Sequence, residues 1–247
     1  GSTLSDEEHK ACIRFAVERA AGRTVIIAGT GSNDTNYAIN LTKYSCDVGA
    51  DAMLVVTPYY NKATQRGLVE SFYAIADAST KPMIVYNVPS RTGVNIQPAT
   101  MARIAEIPNM AGIKDAGGNM SQTMEIFRSI RGKCDLYSGE DALNFPILAV
   151  GGSGVISVLS NVVPADVKKL YTLIKEGRTE EACALQDKLL PLSQACFLEV
   201  NPFPANAALN LLGFDAGTPR APLSEIEPNN KEKLRKAMAD YGLEIKA

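Results

Sequence analysis

Met83-Ile84-Val85-Tyr86-Asn87 is an apolar run ending in a phenol and an amide, and Val88-Pro89-Ser90-Arg91-Thr92-Gly93 follows as a loop shaped by Pro89 and closed by Gly93. A helical pattern over Ala99–Glu106 and a second short strand around Ala111–Lys114 complete the unit. Strands apolar on both faces and joined by an amphipathic helix belong to a parallel sheet covered by helices. The same alternation continues in both directions. Towards the C-terminus it gives a helix over Met120–Ile130, a strand over Leu136–Ser138, a helix over Ala142–Val150 and a strand over Gly154–Leu159. Towards the N-terminus, Ser5 with Asp6, Glu7 and Glu8 marks a capped helix start, and Gly22 is the expected stop. Then come a strand over Thr24–Ala28, a helix from Thr35 to about Val48, a strand over Ala52–Thr57 and a helix over Gln65–Ala78.

That makes six strands. The turn Gly29-Thr30-Gly31-Ser32-Asn33 lacks the third glycine of a dinucleotide fingerprint, and no acid ends the second strand, so a dinucleotide fold is disfavoured. The fold class is α/β, a TIM (β/α)8 barrel with six of its eight strands present, plus a C-terminal helical appendage. Helices at Ala165–Lys175, Glu180–Leu198, Ala205–Leu212 and Asn230–Tyr241 end the chain. The reading therefore divides it into a barrel domain over residues 1–176 and a three-helix domain over residues 177–247. Gly151-Gly152-Ser153-Gly154 resembles a phosphate cradle, but it follows a helix and precedes a strand, where glycines serve as helix stop and tight turn.

Composition narrows the chemistry. The 247 residues are 46% hydrophobic and 21% charged, with a formal net charge of -2, which argues against a nucleic-acid surface. No apolar run is long enough to cross a bilayer, and no basic-then-apolar leader opens the sequence. Cys12, Cys46, Cys134, Cys183 and Cys196 are dispersed without a C-x-x-C pair, which fits reduced thiols in a cytoplasmic protein. The single histidine, His9, sits in a helix start and reads as a surface residue, and no metal-ligating cluster or cofactor motif is visible. Chemistry must then come from lysine, tyrosine, arginine or carboxylates.

In a parallel βα architecture reactive groups gather where strands end. Those ends carry Thr57-Pro58-Tyr59-Tyr60-Asn61, then Tyr86 and Arg91, then Gly112-Ile113-Lys114-Asp115, then Ser138-Gly139-Glu140-Asp141. Lys114 would point into the mouth, where a poorly solvated amine loses its proton more easily and can attack a ketone to form a Schiff base. Tyr86 could carry protons for that reaction, and the Arg91 guanidinium could grip a substrate carboxylate with two parallel hydrogen bonds. Tyr59 and Tyr60 form an aromatic pair suited to an interface or to bringing a second phenol to the site.

Val56-Thr57-Pro58-Tyr59-Tyr60-Asn61, Tyr86-Asn87-Val88-Pro89-Ser90-Arg91-Thr92-Gly93 and Gly112-Ile113-Lys114 together resemble the dihydrodipicolinate synthase family. The likeness extends to Gly154-Val155-Ile156-Ser157-Val158 and Asn201-Pro202-Phe203-Pro204. It implies that Lys114 condenses with pyruvate, that the enamine attacks L-aspartate 4-semialdehyde, and that Tyr86 is the central proton carrier. Arg91 would hold the semialdehyde carboxylate, and Gly139 and Ile156 would line the pyruvate pocket through backbone groups. Tyr60 would reach across a tight homodimer interface, two such dimers making a homotetramer. Asn33, Tyr59 and His9 match a lysine-binding site at that interface, with Tyr37 where a glutamate is expected, so weak or no feedback by lysine is implied. Family chains also carry a first βα unit and a second strand ending in Gly-Thr-Thr-Gly-Glu ahead of the point matching Gly1. This implies a poorly folded or inactive short chain with uncovered strand edges and an active longer one. Two alternatives remain open: another pyruvate aldolase such as N-acetylneuraminate lyase, which Arg91 disfavours, and a non-catalytic remnant.

Overall fold

The computed structural model describes Gly1 and residues 3–246, in two compact units, residues 1–137 and 138–247. Among the described residues there are six strands, the number read from the sequence. No helix among them is long and apolar enough to cross a membrane.

The first unit opens with α1 (Asp6–Ala20). The Ser5 hydroxyl accepts from the Glu8 amide, and the Glu8 carboxylate accepts from the Ser5 amide at 3.0 Å, a reciprocal cap on two otherwise unpaired donors. Gly22 was the expected stop, and the helix ends on two left-handed residues, Ala21 with φ 47° and Gly22 with φ 73°. β1 (Ile27–Gly29) is shorter than expected, and its residues alternate exposed, buried, exposed. The expectation that every strand is apolar and covered on both faces fails here. β1 ends the sheet order, and Val25 (66%) and Ile27 (41%) stay accessible, as does Phe15 of α1.

α2 (Thr35–Asp47) starts at Asp34, whose carboxylate accepts from the amides of Asn36 and Tyr37. β2 (Ala52–Val56), α3 (Gln65–Asp77) and β3 (Met83–Asn87) follow as read. A single turn, α4 (Pro89–Thr92), then stands where a loop was expected. Pro89 presets φ at its first position, and the Gly93 amide closes it on the Pro89 carbonyl at 2.9 Å. Next come α5 (Pro98–Ile104), β4 (Met110–Asp115), α6 (Met120–Ile130) and β5 (Asp135–Ser138), the last reaching the boundary of the unit. β1 to β4 pair in sequence order, all parallel. Fully buried Leu41, Met53, Phe72, Met101, Ile113 and Ile126 form the core of this unit.

The second unit holds α7 (Asn144–Ala149), β6 (Gly154–Val155), α8 (Pro164–Lys175), α9 (Thr179–Ala195), α10 (Phe203–Leu211) and α11 (Pro228–Tyr241). Its core includes Leu170, Leu189, Leu192, Leu234 and Met238. The strand expected over Gly154–Leu159 stops after two residues, and the chain turns into a 3-10 segment at Leu159–Asn161. The cause is Asp141, 4% exposed, whose Oδ2 accepts from the amides of Val158 (2.9 Å) and Leu159 (2.8 Å). Amides held by a side chain are lost to the strand ladder. The glycine run before β6 is structural, as read: a Cβ on Gly152 would stand 2.7 Å from the Ile147 carbonyl oxygen. Cys12, Cys46, Cys134, Cys183 and Cys196 are free thiols. Burial pushes Cys134 up to about 11 and Cys196 up to about 12, so both stay protonated and unreactive near neutral pH.

Candidate active site

Parallel strands in register place equivalent side chains on one face. Val56 of β2 pairs with Tyr86 of β3, which pairs with Lys114 of β4. The three therefore project side by side at the C-terminal edge of the sheet. Lys114 and Tyr86 are each half-buried, and the lysine Nζ lies 4.1 Å from the centroid of the Tyr86 ring. β4 can run close beside β5 because residue 112, two before Lys114, is glycine. A Cβ there would meet the Asp135 carbonyl oxygen at 2.7 Å and the Tyr137 ring at 2.9 Å.

The residues next along each strand point the other way, into the helix layer. Asn87 pairs with Asp115, and its Nδ2 donates to the Asp115 carboxylate at 3.0 Å. No role was read for either from the sequence. The signal was nonetheless there: one polar, strand-terminal residue directly follows each functional one.

Tyr86 opens onto a cavity of about 590 Å³ inside the first unit, floored by Leu54, Val56 and Val88 and reached by Arg91. Burial raises the Tyr86 phenol above its ordinary value of 10.0, and the positive charge of Arg91 partly offsets this. Arg91 itself is exposed in α4. His9, Tyr37 and Tyr59 line the same cavity. His9, read as a surface residue, is only partly exposed. Burial lowers its pKa first, then the charge of the amino terminus, so it is neutral at pH 7. Asn33 meets the Tyr59–Tyr60 loop through its carbonyl, which accepts from Asn61 Nδ2 at 2.8 Å.

Tyr60 stands apart from the cavity. It is 89% exposed and has φ 72°, a left-handed conformation that costs a non-glycine residue energy. Gly139 and Ile156 belong to the second unit, where the Ile156 amide donates to the Ser138 carbonyl at 2.8 Å, beside Gly139. Among the described residues no group of three or more His, Cys, Asp or Glu side chains could hold a metal ion.

Comparisons with known proteins identify the family. The sequence profile of the Dihydrodipicolinate synthetase family matches residues 1–240. A 4-hydroxy-tetrahydrodipicolinate synthase from Caldicellulosiruptor bescii is 49% identical over 245 residues, 99% of this chain and 83% of its own length. The crystal structure of the chloride-inhibited dihydrodipicolinate synthase from Acinetobacter baumannii, complexed with pyruvate, superposes with a TM-score of 0.94 at 42% identity. It covers 98% of this chain and 83% of its own. The enzyme from Cyanidioschyzon merolae with lysine bound gives 0.95 at 40% identity, covering 98% and 83%. These scores give the chain the TIM-barrel-like fold of those enzymes, here with six strands. The chain belongs to the dihydrodipicolinate synthetase family.

Proposed function

We propose that the residues of this chain serve the condensation of pyruvate with L-aspartate 4-semialdehyde to 4-hydroxy-tetrahydrodipicolinate, a step of lysine and diaminopimelate biosynthesis. The observation that carries the reading is the Lys114 nitrogen 4.1 Å from the Tyr86 ring, at the sheet edge where this family's motifs coincide. The amine nitrogen of Lys114 attacks the C2 ketone of pyruvate, and the carbinolamine loses water to form a C=N bond. Nitrogen then serves as the electron sink when a C3 proton leaves, giving an enamine whose C3 attacks the aldehyde carbon. Each stage moves a proton, and Tyr86 is the phenol placed to carry it. The test is incubation with pyruvate and borohydride followed by peptide mapping. Reductive labelling at Lys114 supports the reading, and labelling spread over other lysines or absent altogether removes it.

Arg91 orients the semialdehyde carboxylate. Its Ala variant is expected to raise KM for the semialdehyde about tenfold or more while leaving KM for pyruvate near the parent value, because a bidentate charge-assisted grip is lost for one substrate alone. Equal effects on both substrates would assign Arg91 elsewhere. Gly139 and Ile156 contribute backbone groups to the pyruvate pocket. Tyr60 completes the site from a second copy of the chain, within a homodimer or homotetramer; its exposure and strained backbone suit a side chain held out for a partner. In the same reading residues 1–176 are the barrel part and residues 177–247 its helical appendage.

Asn33, Tyr59 and His9 form the lysine-facing cluster. Tyr37 brings no carboxylate to it, and the nearby Asp6 is already paired with Lys10 at 2.6 Å. An ammonium ligand is left without a free acid partner here. Inhibition curves are therefore expected to stay flat through sub-millimolar lysine; strong saturable inhibition in that range would reject the assignment.

A further inference from the structure

We propose that Asp115 is a positioning residue that, through Asn87 and Thr123, fixes the ends of β3 and β4 so that Tyr86 and Lys114 are held together. The proposal rests on the Schiff-base reading for its purpose but not for its geometry. Asp115 is 3% exposed, and Asn87 and Thr123 are equally buried, so their polar groups must satisfy one another. Asp115 Oδ1 accepts from Asn87 Nδ2 at 3.0 Å, and Oδ2 accepts from the Thr123 hydroxyl at 2.5 Å. Thr123 lies in the first turns of α6, so the carboxylate ties that helix to two neighbouring strands.

Asn87 extends the tie. Its Oδ1 accepts from the Ile96 amide at 3.0 Å, and its Nδ2 also donates to Asn95 Oδ1. Asn95 and Gln122 then exchange two amide bonds of 2.9 and 2.8 Å, which returns the network to α6. Asp115 supplies two acceptor oxygens, one to Asn87 and one to Thr123, and so joins the amides of this network to α6. Two adjacent cross-strand pairs thus share two strand ends. Tyr86 and Lys114 meet on one face of the sheet, and Asn87 and Asp115 are bonded on the opposite face. A strand end free to twist would move both faces at once, so the hidden pair governs the spacing of the reactive one.

Asparagine can imitate this arrangement. Its Oδ1 would accept from Asn87, and its Nδ2 would donate to the Thr123 oxygen while that hydroxyl donates to the Asn119 carbonyl, already 3.1 Å away. Asp115→Asn therefore keeps the ties without the charge, and Asp115→Ala removes the ties. The experiment measures site-resolved Lys114 labelling by pyruvate and borohydride, and the pH midpoint of Lys114 acetylation by acetic anhydride, with thermal melting to confirm folding. Expected for Asp115→Ala is labelling slower by about tenfold to a hundredfold, as for a group misplaced by about an ångström. Its acetylation midpoint is also expected to shift, and Asp115→Asn should restore both.

Wild-type behaviour in Asp115→Ala would overturn the proposal, as would an Asn variant no better than the Ala variant, which would assign the effect to charge. Should Asp115→Ala fail to fold, Thr123→Val carries the test, and unchanged labelling and midpoint there overturn the proposal equally. Failure of pyruvate to label the parent protein would remove the Schiff-base reading instead, while the acetylation midpoints would still decide the positioning role.

Discussion

Replacing Lys114 with alanine is expected to abolish borohydride-stable labelling by pyruvate and to lower condensation by roughly a thousandfold or more. This is the scale at which removal of a covalent nucleophile disables an enzyme. Lys114→Arg should be as damaging, because a guanidinium stays protonated and offers no nucleophilic lone pair. Folding should survive both changes, since Lys114 is half-buried at a strand terminus and the core of the first unit lies on the opposite face. Intact thermal melting with total loss of labelling is therefore the outcome sought. Retention of labelling in Lys114→Ala would move the nucleophile to another residue and end the proposed mechanism.

The second large effect is at Tyr86. Tyr86→Phe keeps the ring and its contact with Lys114 but removes the hydroxyl, so kcat should fall by about a hundredfold to ten-thousandfold. KM for pyruvate should stay nearly constant, because proton transfer is needed in the transition states rather than for binding. The sign of the pH dependence follows from the environment. Burial raises the phenol above 10.0, so it is protonated throughout neutral pH and its titration midpoint lies above the ordinary phenol value. An alkaline fall in kcat set by this group therefore lies above pH 10 in the parent and is absent in the Phe variant. A Phe variant within a few-fold of the parent, with an unchanged alkaline limb, would mean that another group or solvent carries the proton.

The residues behind these predictions were legible in different degrees. Lys114, Tyr86 and Arg91 stood out because each is a reactive type at the end of an apolar run or in the loop after it. The helix start at Ser5 is visible because capping is local chemistry, decided within three residues. The shortness of β6 was not legible, since the carboxylate that captures its amides comes from Asp141, 17 and 18 residues away in sequence. The turn at Pro89–Thr92 was missed because four residues carry no periodicity, although the proline and glycine that bound it were both noted. Asn87 and Asp115 were seen as members of strand ends and given no role, because a buried polar residue shows its partner only in three dimensions.

The alternation of strand and helix, the types of residue at the sheet edge and the family could be read along the chain. Those follow from hydrophobic periodicity and from motifs that are contiguous in the chain. Whether Lys114 and Tyr86 face each other was decided by tertiary structure alone. The β3–β4 register shifts by one residue between Met83, opposite Met110, and Ile84, opposite Gly112. Without that irregularity Tyr86 would stand opposite Ile113, and Lys114 would project to the face now occupied by Asp115. Side chains alternate along a strand with a period of two, so a single inserted residue exchanges the buried face for the reactive one.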